Sequence, residues 1–190
     1  LHEESSQVLG KIIFDKALEA DTSGKFKMMA GGGGSGKSEV ALKPLLKEPA
    51  LIVDGTLKTF DNAVTNIDKA LKAGKEVEIH AVYAPTELAT LFNKMRSRSV
   101  PGEILADTHA GFRETLPKLA EKYGDKIDIQ IYENDSFGTK GSKVDPDDLK
   151  AYLDANVIPK EKITKDVLFM EKIIRQRGLD WTKDRINDMM

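Results

Sequence analysis

An α/β fold with a mostly parallel central sheet is what the sequence predicts, and two observations predict it. Strand-like and helix-like patterns alternate from residue 25 to residue 133, as in chains that wind helices around a parallel sheet. Residues 31–38, GGGGSGKS, match G-x-x-x-x-G-K-[ST] without a mismatch. Together these specify a P-loop NTPase fold, a three-layer α/β/α sandwich.

The glycine stretch follows the apolar run Phe26-Lys27-Met28-Met29-Ala30 and precedes a helix-compatible run, the context the motif requires. Glycines let a backbone take positive φ and aim several N–H groups at one phosphate. The following helix turns its positive end to the same anion. Gly31, Gly32, Gly33, Gly34, Ser35 and Gly36 are therefore expected to cradle phosphate, with Lys37 reaching the β- and γ-phosphates and Ser38 ligating Mg²⁺. A flexible Gly/Ser linker is the bland alternative, and linkers rarely end in Gly-Lys-Ser after such an apolar run.

Residues 2–20 read as an amphipathic helix, with Val8, Ile12 and Leu18 near helical spacing and Ile13, Phe14 and Ala17 widening the face. Asp21-Thr22-Ser23-Gly24 ends it. Lys25–Ala30 is a strand entering the loop. After Ser38 a helix follows that Pro44 should kink or shorten. Ala50–Val53 is a buried strand delivering Asp54 at its carboxyl end, where ligands bind in open α/β sheets. An acid there can hold Mg²⁺ or take a proton from a hydroxyl nucleophile. A helix cap or turn is the competing role for Asp54.

Residues 57–73 carry Leu57, Phe60, Val64, Ile67 and Leu71 at helical spacing, Asp61 facing solvent and Gly74 as the stop. Lys75–Ala84 alternates as a strand, with His80 a satisfied strand histidine. A helix from Pro85 places Leu88, Leu91, Phe92 and Met95 on one face. It runs into Lys94, Arg96 and Arg98 beside the Pro101-Gly102 break. Such a basic segment can neutralise a transferring phosphoryl group or simply cap the helix end. Glu103–Lys122 is a longer helix that Pro117 should interrupt, with His109 on it as packing or surface. Lys126–Glu133 is a strand, 137–144 a turn or short hairpin, Pro146–Asn156 a short polar helix, and Ile163 to Ile174 the face of a final helix ending near Gly178. Trp181, the sole tryptophan, either pins the tail or serves a neighbouring domain.

At 190 residues and 40% hydrophobic content the chain is expected to be one domain: an N-terminal helix at 1–24, a P-loop core at 25–135, and a hairpin with C-terminal helices at 136–190. The net charge of −2 gives no electrostatic case for duplex nucleic acid or an anionic membrane. Without cysteine there is no disulfide framework, thiolate site or thiol nucleophile. No apolar run reaches membrane-spanning length and no secretory leader pattern is present. The start at Leu1 reads as a piece excised from a longer polypeptide, and a cytoplasmic setting is expected.

The pieces AGGGGSGKS (30–38), VDGTLKT (53–59), EVEIHAVYA (76–84), RSRSVP (96–101) and IDIQIYEND (127–135), in that order over about 110 residues, resemble the zeta-toxin family of P-loop kinases. The resemblance implies an ATP- or GTP-dependent kinase that phosphorylates a hydroxyl of a small molecule; known members use UDP-N-acetylglucosamine. It implies nucleotide and Mg²⁺ at Lys37 and Ser38, phosphate contact by Arg96 or Arg98, substrate near Thr56, and an antitoxin or neighbouring domain as partner. One departure stands out. The family carries an extra strand with a catalytic aspartate, then helices, before a Glu-Gly-Thr element. Here 15 residues separate Ser38 from Asp54 and the element reads Asp-Gly-Thr. Asp54 then stands either for the family's substrate-binding glutamate or for the base and metal ligand itself.

The leading expectation is a kinase of a small hydroxylated molecule, with Lys37, Asp54, Arg96 and Arg98 catalytic, Asp54 and Thr56 at the substrate, and Ser38 and Asp54 on Mg²⁺. The alternatives are a non-catalytic nucleotide-binding domain of a larger protein and a 5′-hydroxyl nucleic-acid kinase. The second of these lacks the basic, aromatic-interleaved groove that single strands require.

Overall fold

A computed structural model describes residues 2–135, 141–182 and 184. Helix α1 (His2–Ala20) precedes strand β1 (Lys25–Ala30). After the glycine loop a π-helical turn, Ser38–Leu42, runs into the single turn α2 (Lys43–Leu45). The helix stops one residue beyond Pro44, as its missing N–H predicts. Strand β2 (Leu51–Val53), helix α3 (Phe60–Lys72), strand β3 (Glu76–Tyr83) and helices α4 (Thr86–Met95) and α5 (Gly102–Tyr123) follow. Strand β4 (Asp128–Glu133), the two-residue β5 (Ser142–Lys143), α6 (Leu149–Ala155) and α7 (Lys160–Arg177) complete the order. The expected hairpin at 137–144 is described only from residue 141.

The sheet order is β2-β1-β3-β4-β5. The first four strands are parallel, and β5 pairs antiparallel with β4. The chain leaves β1 toward β2 on one side and later returns to β3 on the other. The glycine loop therefore sits at the switch point, where neighbouring connections diverge and leave room for a ligand.

The two faces of the sheet differ. Alternation along β1 sends Phe26, Met28 and Ala30 to one face, where they meet Phe14 of α1, Ile67 of α3 and Phe112, Leu116 and Leu119 of α5. Each large side chain buried there contributes about 1.5–3 kcal/mol. The opposite face has a smaller apolar patch beneath the short helix after the loop, with Met29, Ala41, Leu45 and Val82 buried and Val40, Leu42, Ile52 and Tyr132 partly buried around them. Beside it lies a polar cluster. Lys27 is buried between Glu48 (2.6 Å) and Glu78 (3.2 Å). His80 meets Glu78 at 3.0 Å and the Tyr132 hydroxyl at 3.2 Å. His80 is thus the satisfied strand histidine its setting predicted.

Four local expectations need correction. Ile12 and Ile13 are exposed, and Phe14 alone of that trio enters the core. Met95 is exposed because α4 ends there. The third helix starts at Phe60 and not at residue 57, since Leu57 has φ 57°, a left-handed conformation no helix contains. Helix α5 runs through Pro117 unbroken. An interior proline costs about 3 kcal/mol. Leu116 and Leu119 on either side are fully buried against the sheet, and about 1.5–3 kcal/mol from each offsets that cost.

Candidate active site

The glycine loop leaves the carboxyl end of β1 and is held from several directions. The Gly31 amide donates to the Thr56 carbonyl at 3.3 Å, tying the loop to the Asp-Gly-Thr-Leu segment. The Gly33 amide donates to Thr108 Oγ1 at 3.1 Å, and His109 Nε2 lies 2.8 Å from the Gly33 carbonyl. Asn134, buried at the end of β4, donates through Nδ2 to the Ser35 carbonyl at 2.9 Å.

These neighbours explain why the loop has four consecutive glycines where the motif demands one. A Cβ at residue 32 would lie 2.1 Å from His109 Cδ2. At residue 34 it would lie 2.1 Å from the Ala89 carbonyl oxygen, and φ there is 71°. Helices α4 and α5 approach too closely for any side chain. The amides of Gly34, Gly36 and Lys37 have no hydrogen-bond partner among the described residues, and the buried Ser35 hydroxyl has none either. Free amides on a positively curved loop suit a phosphate anion.

Lys37 folds back, its Nζ donating to the carbonyls of Gly31 (2.7 Å) and Gly32 (3.2 Å). Burial pushes its ammonium below the usual lysine range; Asp54 opposes that shift and Arg96 adds to it. Asp54 and Arg96 therefore both act on the Lys37 charge. Asp54 is exposed at the end of β2, and Ser38 is exposed at the loop's mouth. Thr56 contributes its carbonyl to the loop, and Leu57 is buried immediately after it.

The basic segment closes α4. Buried Asn93 holds it at the far end, donating to the Val100 carbonyl (2.9 Å) and accepting the Val100 amide (3.0 Å). Arg96 and Arg98 between these points are exposed. Among the described residues, Asp54, Arg96 and Arg98 make no side-chain hydrogen bond or ion pair. Lys94 pairs with Glu171 of α7 at 2.6 Å, so it anchors the segment to the body.

Asn93, Thr108, His109 and Asn134 are the parts of this site that residue patterns did not reveal. The excess glycines were the available signal, because a glycine not required by the motif marks a close neighbour. His109 was expected as packing or surface; it is packing, fully buried beneath the loop.

The residues present suit a nucleoside triphosphate with Mg²⁺. The unpartnered amides and Lys37 match phosphate oxygens. Mg²⁺ asks few protein ligands when phosphates and water supply the rest. No group of three or more His, Cys, Asp or Glu that could hold a metal occurs among the described residues; Ser38 and Asp54, both exposed, are residues that could offer an oxygen to that ion.

Comparison with solved structures finds the same fold in chains of the AvrRxo1-ORF1:AvrRxo1-ORF2 complex. The native complex aligns with TM-score 0.55 and 11% identity, covering 88% of this chain and 84% of that one. The same complex with ATP aligns with TM-score 0.56 and 11% identity, covering 94% and 89%. A chain of the PezAT chromosomal toxin-antitoxin system of the human pathogen Streptococcus pneumoniae aligns at TM-score 0.46 and 14% identity over 83% and 96%, too low to bear on the fold. No curated protein sequence matches the chain. The family model described as Zeta toxin matches residues 47–145, just over half of the 190 residues. That match begins beyond the glycine loop, so motif and family rest on separate stretches of sequence. By this match the chain belongs to the zeta toxin family of P-loop kinases.

Proposed function

We propose that the chain, acting as one P-loop domain over residues 1–190, transfers the γ-phosphoryl group of ATP to a hydroxyl of a small molecule. The observation that carries this reading is the loop itself: free amides at Gly34, Gly36 and Lys37 at the sheet's switch point, with the charges of Asp54 and Arg96 both felt at Lys37. The ATP bound in a structure of similar fold supports the choice of nucleotide, and GTP is the competing donor in the test below.

Loop amides would bind the β- and γ-phosphates. Lys37 Nζ would leave the carbonyls of Gly31 and Gly32 for phosphate oxygens, exchanging neutral acceptors for charged ones. Ser38 and Asp54 would hold Mg²⁺, which when bound screens phosphate charge. Thr56, whose carbonyl accepts the Gly31 amide two residues after Asp54, would contact the acceptor. The acceptor's hydroxyl oxygen attacks the γ-phosphorus, the bond to the bridging oxygen breaks and releases ADP, and the acceptor's proton passes to Asp54. Arg96 and Arg98 neutralise the charge on the equatorial oxygens as their segment closes. A nucleotide sugar is the acceptor the family resemblance suggests. The partner we propose is a second protein chain, as in the AvrRxo1-ORF1:AvrRxo1-ORF2 complex.

Incubating the protein with γ-labelled ATP or GTP, Mg²⁺ and a metabolite extract tests the assignment. A labelled product made by wild type and absent with Lys37→Ala is expected. ATP binding with no labelled product from any extract would favour the non-catalytic nucleotide-binding alternative.

A further inference from the structure

Two adjacent side chains of α5 grip both peptide groups of one loop glycine. Thr108 Oγ1 accepts the Gly33 N–H at 3.1 Å, and His109 Nε2 donates to the Gly33 carbonyl at 2.8 Å. From this geometry, and resting on the nucleotide reading above, we propose that Thr108 and His109 are positioning residues that set which loop amides face the phosphates.

The argument follows from the planarity of the trans peptide, in which N–H and C=O point in opposite directions. The Gly33 N–H shares a plane with the Gly32 carbonyl. Drawn to Thr108, it turns that carbonyl the opposite way, where Lys37 Nζ (3.2 Å) and the Ser35 amide (3.3 Å) both donate to it. The Gly33 carbonyl shares a plane with the Gly34 N–H. Drawn inward to His109, it sends the Gly34 N–H outward, where no partner occupies it among the described residues. The two contacts thus orient two successive peptide planes.

The chemistry of each side chain fixes its role. The Thr108 hydroxyl hydrogen is committed to the Leu105 carbonyl at 2.9 Å, so its oxygen is free to accept. A carbonyl can only accept, so His109 Nε2 carries the hydrogen. Its Nδ1 is then left buried without a partner, a costly arrangement in a closed interior. An apolar residue would avoid that cost and would fill the space. It would not hold the Gly33 carbonyl.

The test measures ATP affinity by calorimetry and the amide resonances of residues 31–38 by NMR, with and without ATP. His109→Leu keeps bulk and removes the donor. It is expected to weaken ATP binding on the order of tenfold or more and to shift the Gly34 amide resonance in the absence of ATP. His109→Gln keeps a donor at similar reach and should stay near wild type. Thr108→Val should weaken binding and Thr108→Ser restore it. Leu119→Ala, on the same helix but away from the loop, should lower the melting temperature without changing ATP affinity, which separates positioning from general destabilisation. If His109→Leu does not fold, the Thr108→Val and Thr108→Ser pair carries the test. Folded His109→Leu or Thr108→Val binding ATP within twofold of wild type would overturn the proposal, as would unchanged loop resonances. Wild type that binds no ATP overturns the nucleotide reading and the positioning role with it. Binding that Lys37→Ala abolishes and His109→Leu leaves intact overturns the positioning role alone.

Discussion

Residues 31–35 are gripped by Thr56, Thr108, His109 and Asn134, whereas Asp54, Arg96 and Arg98 stand exposed. The contrast separates two tasks. Holding a phosphate requires donors fixed before the ligand arrives, because donors that need no rearrangement at the moment of reaction stabilise charge most effectively. Delivering a base and cations to a transient charge tolerates mobile side chains, provided that substrate binding orders them. Binding should therefore depend on the built half and turnover on both halves.

The largest expected break in this contrast comes from Lys37→Ala. It removes the cation that the loop itself carries, and phosphoryl transfer should fall at least about 10³-fold, measured as initial rate at saturating ATP. Asp54→Asn tests the exposed half. If Asp54 takes the acceptor's proton, kcat should drop about 10²-fold, while ATP affinity without Mg²⁺ and the melting temperature stay at wild-type values. Equal loss of kcat and of stability would place Asp54 in the built half instead.

Acid probes the buried support. Burial holds His109 at about 4, below the ordinary histidine value of about 6.5. Between those values the unfolded chain binds a proton that the folded chain refuses. This share of stability is complete above about pH 6.5 and is lost as pH falls toward 4. From pH 7 to pH 5 it amounts to about 2 kcal/mol, roughly 30-fold in the folding equilibrium. His80 is also pushed down, chiefly by its burial, and adds a loss of the same sign. The urea-unfolding difference between wild type and His109→Gln at the two pH values isolates the His109 share. The smallest effect belongs to Arg96→Ala, about tenfold in kcat and well short of the ~10³ of an ordered arginine finger, because Arg98 remains nearby in sequence. If Arg98→Ala proves more damaging than Arg96→Ala, the charge felt at Lys37 is the wrong guide to which arginine meets the phosphates.

How much of this was legible in the sequence follows the range of each interaction. Strand β1 was readable to the residue, because an apolar run ending in glycine is a local signal. The shortening after Pro44 was readable for the same reason. Passage of α5 through Pro117 was not, since burial of Leu116 and Leu119 against distant strands decides it. Leu57 fitted a helical spacing and was drawn into the wrong element; its side chain is in the core, as the spacing suggests, while its backbone turns the chain. Lys37 and Ser38 could be named from a motif. Thr108 and His109 could not, because they meet the loop across 75 or more residues of sequence and no periodicity encodes such a contact.

The left-handed turn at Leu57 also sets the reach of the acid. A single residue in that conformation costs about 1–2 kcal/mol, and the buried Leu57 side chain keeps it in place. On the other side of Asp54, Val53 is paired with Met28 in the sheet. Asp54 is thus moored one residue from a strand and three from a fixed turn. At about 3.5 Å per residue, the three-residue mooring spans at most about 10 Å. A carboxylate open to solvent is by this means confined to a small volume beside the loop. Lengthening the tether by inserting one glycine after Gly55 would enlarge that volume while leaving the acid's chemistry untouched, and would show how much of the rate depends on its short leash.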